Sequence, residues 1–240
     1  MLYILMLTAC TTQMPNDGSG AYSWSGFVYS DIPADSGTAL TDGTIEVRNT
    51  QNDIIAEGVQ TDPDNPGNWQ IPVTAAEAVA IRISGPEQLT TVWRADTPTA
   101  TAYWFAGTFF AVKTETILPF WDGLTEMTEV PQATTDGVHL YGEPLALNEE
   151  DLEAWTGAQI NIYDGAGVIH PAISLTTTSE GLMELATEQN GPITAFTAVD
   201  LAPGEIRLVI DASDGRTMVM DYFAEPGDLL SAFAFTLPTQ

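Results

Sequence analysis

The sequence predicts an all-β protein made of two tandem antiparallel β-sandwiches, with one short helix in the second. Three observations carry that reading. Apolar and polar residues alternate over short runs, as in Thr44-Ile45-Glu46-Val47-Arg48, Val79-Ala80-Ile81-Arg82-Ile83 and Thr108-Phe109-Phe110-Ala111-Val112, and Gly, Pro, Asn and Asp break the runs apart. Helical periodicity is scarce. The chain also repeats itself: Leu40-Thr41-Asp42-Gly43-Thr44-Ile45-Glu46-Val47 lines up with Trp155-Thr156-Gly157-Ala158-Gln159-Ile160-Asn161-Ile162 at an offset of 115 residues. Before this pair Val28-Tyr29-Ser30-Asp31 matches Leu140-Tyr141-Gly142-Glu143, and after it Ile81-Arg82-Ile83 matches Leu208-Val209-Ile210. With 240 residues, 44% of them hydrophobic, the chain has the length and the apolar material for two cores.

In chain order, the first stretch, Met1 to Cys10, is apolar, too short to span a bilayer and closed by the only cysteine. Its last four residues, Leu7-Thr8-Ala9-Cys10, resemble the lipobox of bacterial lipoproteins, where small residues precede a cysteine whose thiol becomes a thioether. The resemblance implies a truncated signal peptide over residues 1–10 and a lipid on Cys10. Thr11 stands where an Asp would retain a Gram-negative lipoprotein in the inner membrane, so an outer membrane lipoprotein is expected, on its periplasmic or cell-surface face. Two or more acyl chains anchor stably where one does so marginally. Residues 11–20 are polar, contain Pro and Gly, and read as a flexible tether.

Charge narrows the partners. Asp and Glu number 33 against 6 Lys and Arg, a formal net of −27. Such a field repels phosphate backbones and the anionic cytoplasmic leaflet, so nucleic acid is not an expected partner. The scattered acids suit a solvated surface in a saline medium.

The first sandwich is expected over residues 21–116. Gly26-Phe27-Val28, the strand Ile45 to Arg48, Val59-Gln60-Thr61-Asp62, Gly67-Asn68-Trp69-Gln70-Ile71 and Ile81-Arg82-Ile83 with Gly85 follow in that order. This order resembles the carboxypeptidase regulatory-like, or transthyretin-like, β-sandwich, an Ig-like architecture that serves in most settings as a non-catalytic accessory module. The resemblance is fainter in the second copy, where Thr176-Thr177-Thr178-Ser179-Glu180-Gly181 replaces the turn.

Residues 117–136 begin apolar and finish polar and are expected to link the copies, Phe120 and Trp121 packing on a domain and Pro131 to Asp136 forming the true linker. The second sandwich is expected over 137–240. It opens on the one clear helix, Asn148 to Trp155, with Asn148 placed as its cap, acids in the first turn and Gly157 beyond its end.

Residues that carry chemistry are few. The sequence has no G-x-S-x-G elbow, and its two histidines, His139 and His170, stand at no ligand spacing from one another. Among 33 acids some pair always lies close, which removes the information in any single pair. Asp62, Asp64, Asn65 and Asn68 alternate oxygen donors in the manner of a calcium loop, and the same residues with Pro63 and Pro66 read as an Asx and proline turn that needs no metal. No other cofactor is expected. In Tyr103-Trp104-Phe105 a strand sends Trp104 to the face opposite its neighbours. With Trp93 and Trp121 it would make a carbohydrate platform, unless these rings are buried against the linker or the second sandwich.

The expected function is therefore a lipid-anchored cell-surface structural or adhesion-type binding module without catalytic activity, its partner an unknown surface protein or polysaccharide. The alternative is a carbohydrate-binding accessory lipoprotein of a polysaccharide-degrading system.

Overall fold

Sixteen strands and two helices make up a computed structural model that describes residues 22–30, 39–49, 51–60, 64, 67–73, 78–96, 103–128, 133–180, 182–187, 189 and 191–238. The strands of the first half are β1 (Tyr22–Ser30), β2 (Thr44–Arg48), β3 (Ile54–Gln60), β4 (Asn68–Val73), β5 (Ala78–Ser84), β6 (Thr90–Asp96) and β7 (Tyr103–Ala111). Helix α1 (Thr114–Met127) follows. The second half holds β8 (Val138–Pro144), α2 (Glu149–Ala154), β9 (Gln159–Tyr163), β10 (Ile169–Pro171), β11 (Ile173–Thr177), β12 (Met183–Leu185), β13 (Ala195–Leu201), β14 (Gly204–Asp211), β15 (Thr217–Ala224) and β16 (Asp228–Phe235). Neither helix is long and apolar enough to cross a membrane.

The sequence repeat becomes a repeat of strand pairing. Ile45 and Val47 of β2 lie opposite Ile83 and Ile81 of β5, and Ile160 and Ile162 of β9 lie opposite Ile210 and Leu208 of β14. One copy thus has the sheet order β3-β2-β5-β6 and the other β10-β9-β14-β15. The companion sheets also correspond, as β4-β1-β7 and β13-β8-β16, the latter extended by β11 and β12. In both copies the last strand returns parallel to the first, β7 beside β1 and β16 beside β8. The all-β tandem-sandwich class holds, and the departure from a fully antiparallel arrangement lies in these closing pairs and in one more.

That further parallel pair is the seam. β16 runs beside β6, with Leu229 opposite Thr91 and Leu230 opposite Val92, so the halves share one nine-stranded sheet, β12-β11-β13-β8-β16-β6-β5-β2-β3. Side chains alternate across it. On one face Val92, Leu140, Phe196 and Leu230 join Ile160, Ile162, Leu208 and Ile210 of the four-stranded sheet in a single core. On the other face Ile45, Val47, Ile81 and Ile83 are fully buried in the first half, and Tyr141, Leu175, Ala195 and Leu229 pack against α1 in the second.

Helix α1 occupies most of the segment expected as a linker, and the sequence reading contained no helix there. Pro119 inside it and Gly123 disfavour a helix by propensity. Burial overrides propensity: Ile117, Trp121 and Leu124, spaced four and three apart, form the stripe that faces the sheet, while Pro119 and Gly123 face out. The Trp121 indole donates to the Thr197 hydroxyl at 3.0 Å, which itself donates to the Leu140 carbonyl at 2.7 Å. The start of α1 has no side-chain cap; the Thr114 N–H instead donates to the Glu87 carbonyl at 2.9 Å. Helix α2 forms as expected, its Asp151 N–H donating to the Asn148 side chain at 2.8 Å.

Gly142 of β8 is required by close approach. A Cβ there would lie 2.3 Å from the ring of Phe196, which is fully buried on the neighbouring strand. Gly142→Ala is expected to cost about 1–3 kcal/mol through overpacking. Urea denaturation should show a lower midpoint at unchanged slope, and an unchanged midpoint would contradict this packing.

Candidate functional site

The two sandwiches stack on opposite faces of the shared sheet, and this leaves a step. The face that carries the second core continues beyond the seam into β6, β5 and β2, past the edge strand β15 of the four-stranded sheet. At this step lies a cleft of about 1020 Å³. Ala80, Arg94 and the β2–β3 turn line it from the first half; Tyr163, Arg207, Asp221 and Phe223 are among those that line it from the second.

A buried ionic network fixes the corner. Alternation puts Glu46, Arg48 and Arg82 on the cleft face of β2 and β5, pointing away from Ile45, Val47, Ile81 and Ile83. Arg82 reaches over β6 and grips Asp228, the first residue of β16, with both terminal nitrogens, at 2.7 and 2.8 Å. It also donates to Glu225 at 3.0 Å. Arg48 donates to Glu46 at 2.5 Å and bonds Glu225 at 2.8 Å. The Glu225 N–H donates to Asp228 at 2.7 Å, which closes the turn between β15 and β16.

The same network shapes the rim. Arg48 donates to the Asn52 side chain at 3.1 Å, and Asn52 sits in the left-handed region at φ 67°. The Asn49 side chain accepts from the N–H groups of Gln51 and Asp53 at 3.0 and 2.8 Å. Three amide side chains, Asn49, Gln51 and Asn52, therefore stand along one rim of the cleft.

On the opposite wall the register sets an outward row. Arg207 of β14 lies between Tyr163 of β9 and Asp221 of β15, and Glu205 lies opposite Phe223. Arg207 bonds Asp221 at 2.7 Å, and Arg94 of β6 donates to the Asp221 carbonyl at 3.5 Å. Asp164, next after Tyr163, pins the end of β9. Its carboxylate accepts from Ala166, Val168, Ala202 and the His170 ring at 2.8–3.2 Å. Burial opposes ionisation of this carboxyl, but the four donors outweigh it and hold it below the ordinary carboxylate range.

The residues singled out from sequence fall elsewhere. Trp93 and Trp121 are 6% and 1% exposed, so these two rings belong to the interior and do not make a platform. The side chain of Trp104 lies outside the described residues, as do Cys10, Asp62 and Asn65. Asp64 is exposed and Asn68, at the start of β4, is half-buried; among the described residues no group of three or more His, Cys, Asp or Glu could hold a metal. His139 is buried under Trp121, ring centroids 4.2 Å apart, and its desolvation lowers its pKa. His170 is half-buried and serves the Asp164 turn. No sequence reading picked out Tyr163, Arg207 or Phe223; the signal available was the outward phase of β14 and β15 once Leu208 and Ile210 are set inward.

No family model matches the chain, and no curated protein matches it. Among solved structures it is similar to the Bacillus anthracis TIE protein, at 12% identity and a TM-score of 0.29, over 91% of this chain and 35% of that one. It is similar to BcpA, the major pilin subunit of Bacillus cereus, at 7% identity and a TM-score of 0.31, over 91% and 69% of the two chains. A minor pilin of Streptococcus agalactiae gives 8% identity and a TM-score of 0.26, over 91% and 98%. Likeness at this level carries no function across, so the reading of the cleft rests on its own residues.

Asp228 makes the network sensitive to pH. Burial pushes its carboxyl up to about 6, against the pull of Arg82 and the Glu225 N–H. Between the ordinary value of 3.8 and about 6 the folded protein thus holds a proton there that the unfolded chain has released. The stability this contributes is present below the ordinary value of 3.8 and is lost as pH rises through about 6. Arg82→Met leaves that carboxylate buried without its cation, at an expected cost of about 3–5 kcal/mol near neutral pH. The deficit should shrink on acidification towards pH 5, as Asp228 takes up its proton. Urea denaturation at the two pH values reads both effects, and a small or pH-independent deficit would contradict the assignment.

Proposed function

We infer that this chain is a lipid-anchored, non-catalytic binding module of the bacterial cell surface, held through Cys10 in the outer membrane and taking its partner at the corner cleft. The observation that carries this reading is the cleft itself. It lies open at the junction of the two halves, and its lining presents recognition groups held in place: two exposed aromatic rings, three amides, Arg207 paired with the Asp221 carboxylate and Arg94 set against the Asp221 carbonyl.

The accounting of its charged groups favours binding over catalysis. Asp228, the acid with the strongly raised pKa, is buried and spends both oxygens on Arg82, one of them shared with the Glu225 N–H. It faces no open space in which a substrate proton would be received. Glu205 and Asp221, which do reach the cleft, sit on an open wall in contact with solvent, and Asp221 is held by the Arg207 guanidinium. The anchor is supported by Leu7-Thr8-Ala9-Cys10 and by the polar tether of residues 11–20, which would hold the sandwiches clear of the bilayer.

Mass spectrometry of the protein recovered from its native membrane, compared with Cys10→Ser, tests the anchor. A triacylated Cys10 in the wild type and its loss in the variant are expected. A wild-type protein that carries unmodified residues ahead of Cys10 would refute the anchored reading.

A further inference from the structure

We propose that the corner cleft binds a neutral polysaccharide, its sugar rings stacking on Tyr163 and Phe223 while the flanking amides and the Arg94 and Arg207 guanidinium groups hold its hydroxyls. The proposal rests on the reading of the cleft as the ligand site and names what fills it.

The rings come first. Tyr163 and Phe223 are 38% and 39% exposed, and among the described residues they are the only exposed aromatic side chains. Both line the cleft. Leaving two large rings in water forfeits the burial the other described aromatics obtain, and an aromatic face offers a flat apolar surface to the C–H face of a sugar. Register sets their spacing. Tyr163 and Phe223 lie two strands apart and two residues out of step, which at ordinary sheet spacings places them about 12 Å apart on one surface. That is a span for a short oligosaccharide rather than for a single ring.

The polar groups match hydroxyls. Gln51 offers donors and an acceptor, and Asn49 and Asn52, whose oxygens already accept within the turn and from Arg48, offer N–H donors; Arg94 and Arg207 donate, and Glu205 and Asp221 accept. A sugar hydroxyl needs both a donor and an acceptor, and the cleft supplies both along its length. Its own charges cancel, two arginines against two carboxylates, while the chain as a whole carries −27. An anionic polymer is repelled at long range by that field, and a cationic one meets arginines in the cleft. A neutral chain meets neither penalty.

An extended peptide is the competing occupant, since β15 is an edge strand. Arg94 stands against the Asp221 carbonyl at 3.5 Å and blocks the middle of that edge. A peptide adding there would have to displace it, whereas a glycan would use it.

Affinity electrophoresis of the full-length Cys10→Ser chain in gels containing a β-glucan, a xylan, a mannan, a galactan or alginate tests the proposal. At least one neutral polysaccharide should retard the chain and alginate should not. Tyr163→Ala and Phe223→Ala should each weaken that binding at least tenfold with an unchanged melting temperature, since both side chains are exposed. Retardation by alginate alone, or retardation that survives both substitutions, would overturn it. If none retards the chain, its binding to an envelope preparation treated with trypsin or with periodate separates the two readings. Ring-dependent binding lost with periodate supports a glycan. Ring-dependent binding lost with trypsin overturns the glycan and leaves the cleft standing as a protein site. Binding indifferent to both rings, or no binding, overturns both.

Discussion

Arg82 stretches from β5 across β6 to close a two-pronged bond on Asp228 at the head of β16, and the arrangement of the halves depends on that reach. The apolar alternation along β6 and β16 would be kept by a slip of two residues, so hydrophobicity alone leaves their register weakly specified. A slip would strand a guanidinium and a carboxylate in the interior, each without its partner, at a cost of several kcal/mol. A buried ion pair of this kind adds little net stability compared with apolar side chains of the same volume. Its effect is to make one alignment of the seam far better than its neighbours.

From that alignment the rest follows. With β16 fixed against β6, the nine-stranded sheet runs unbroken, with the four-stranded sheet β10-β9-β14-β15 packed on one face and the first core of Ile45, Val47, Ile81 and Ile83 on the other. The step at the edge of β15 is the geometric result. Arg48 extends the network to Asn52 and sets the amide rim, while Asp164 and its four donors hold the opposite wall at the end of β9. The groups that hold the cleft together, Arg48, Arg82 and Asp164, therefore do not themselves line it. The scarcity of cations sharpens the point. Of six Lys and Arg in the chain, Arg48 and Arg82 lie behind the cleft and Arg94 and Arg207 line it.

Much of the fold was legible in the sequence because alternation and turn chemistry are local. Ile45 and Val47 against Ile81 and Ile83, and their counterparts at Ile160, Ile162, Leu208 and Ile210, could be matched as a repeat before any strand was placed. Asn148 announced α2 through its capping chemistry. Helix α1 was hidden because Pro119 and Gly123 speak against a helix, and only the burial of Ile117, Trp121 and Leu124 against the sheet outweighs them. The seam was illegible for a different reason: a parallel pairing between β6 and β16 joins residues more than a hundred positions apart and leaves no trace in either segment. The cleft depends on the seam, so its residues could not be found. Trp93 and Trp121 drew attention as large rings, yet large rings are also what a core uses, and the exposed pair proved to be Tyr163 and Phe223.

Native-state hydrogen exchange at the amides of β6 and β16 tests the shared sheet most directly. If the two halves form one cooperative sheet, the seam amides should exchange only through the opening that also releases the flanking strands β5 and β8, with the same free energy and the same denaturant dependence. Seam amides that exchange through a separate, lower-energy opening, while β5 and β8 stay protected, would show two sandwiches that merely touch, and would remove the basis for a preformed cleft between them.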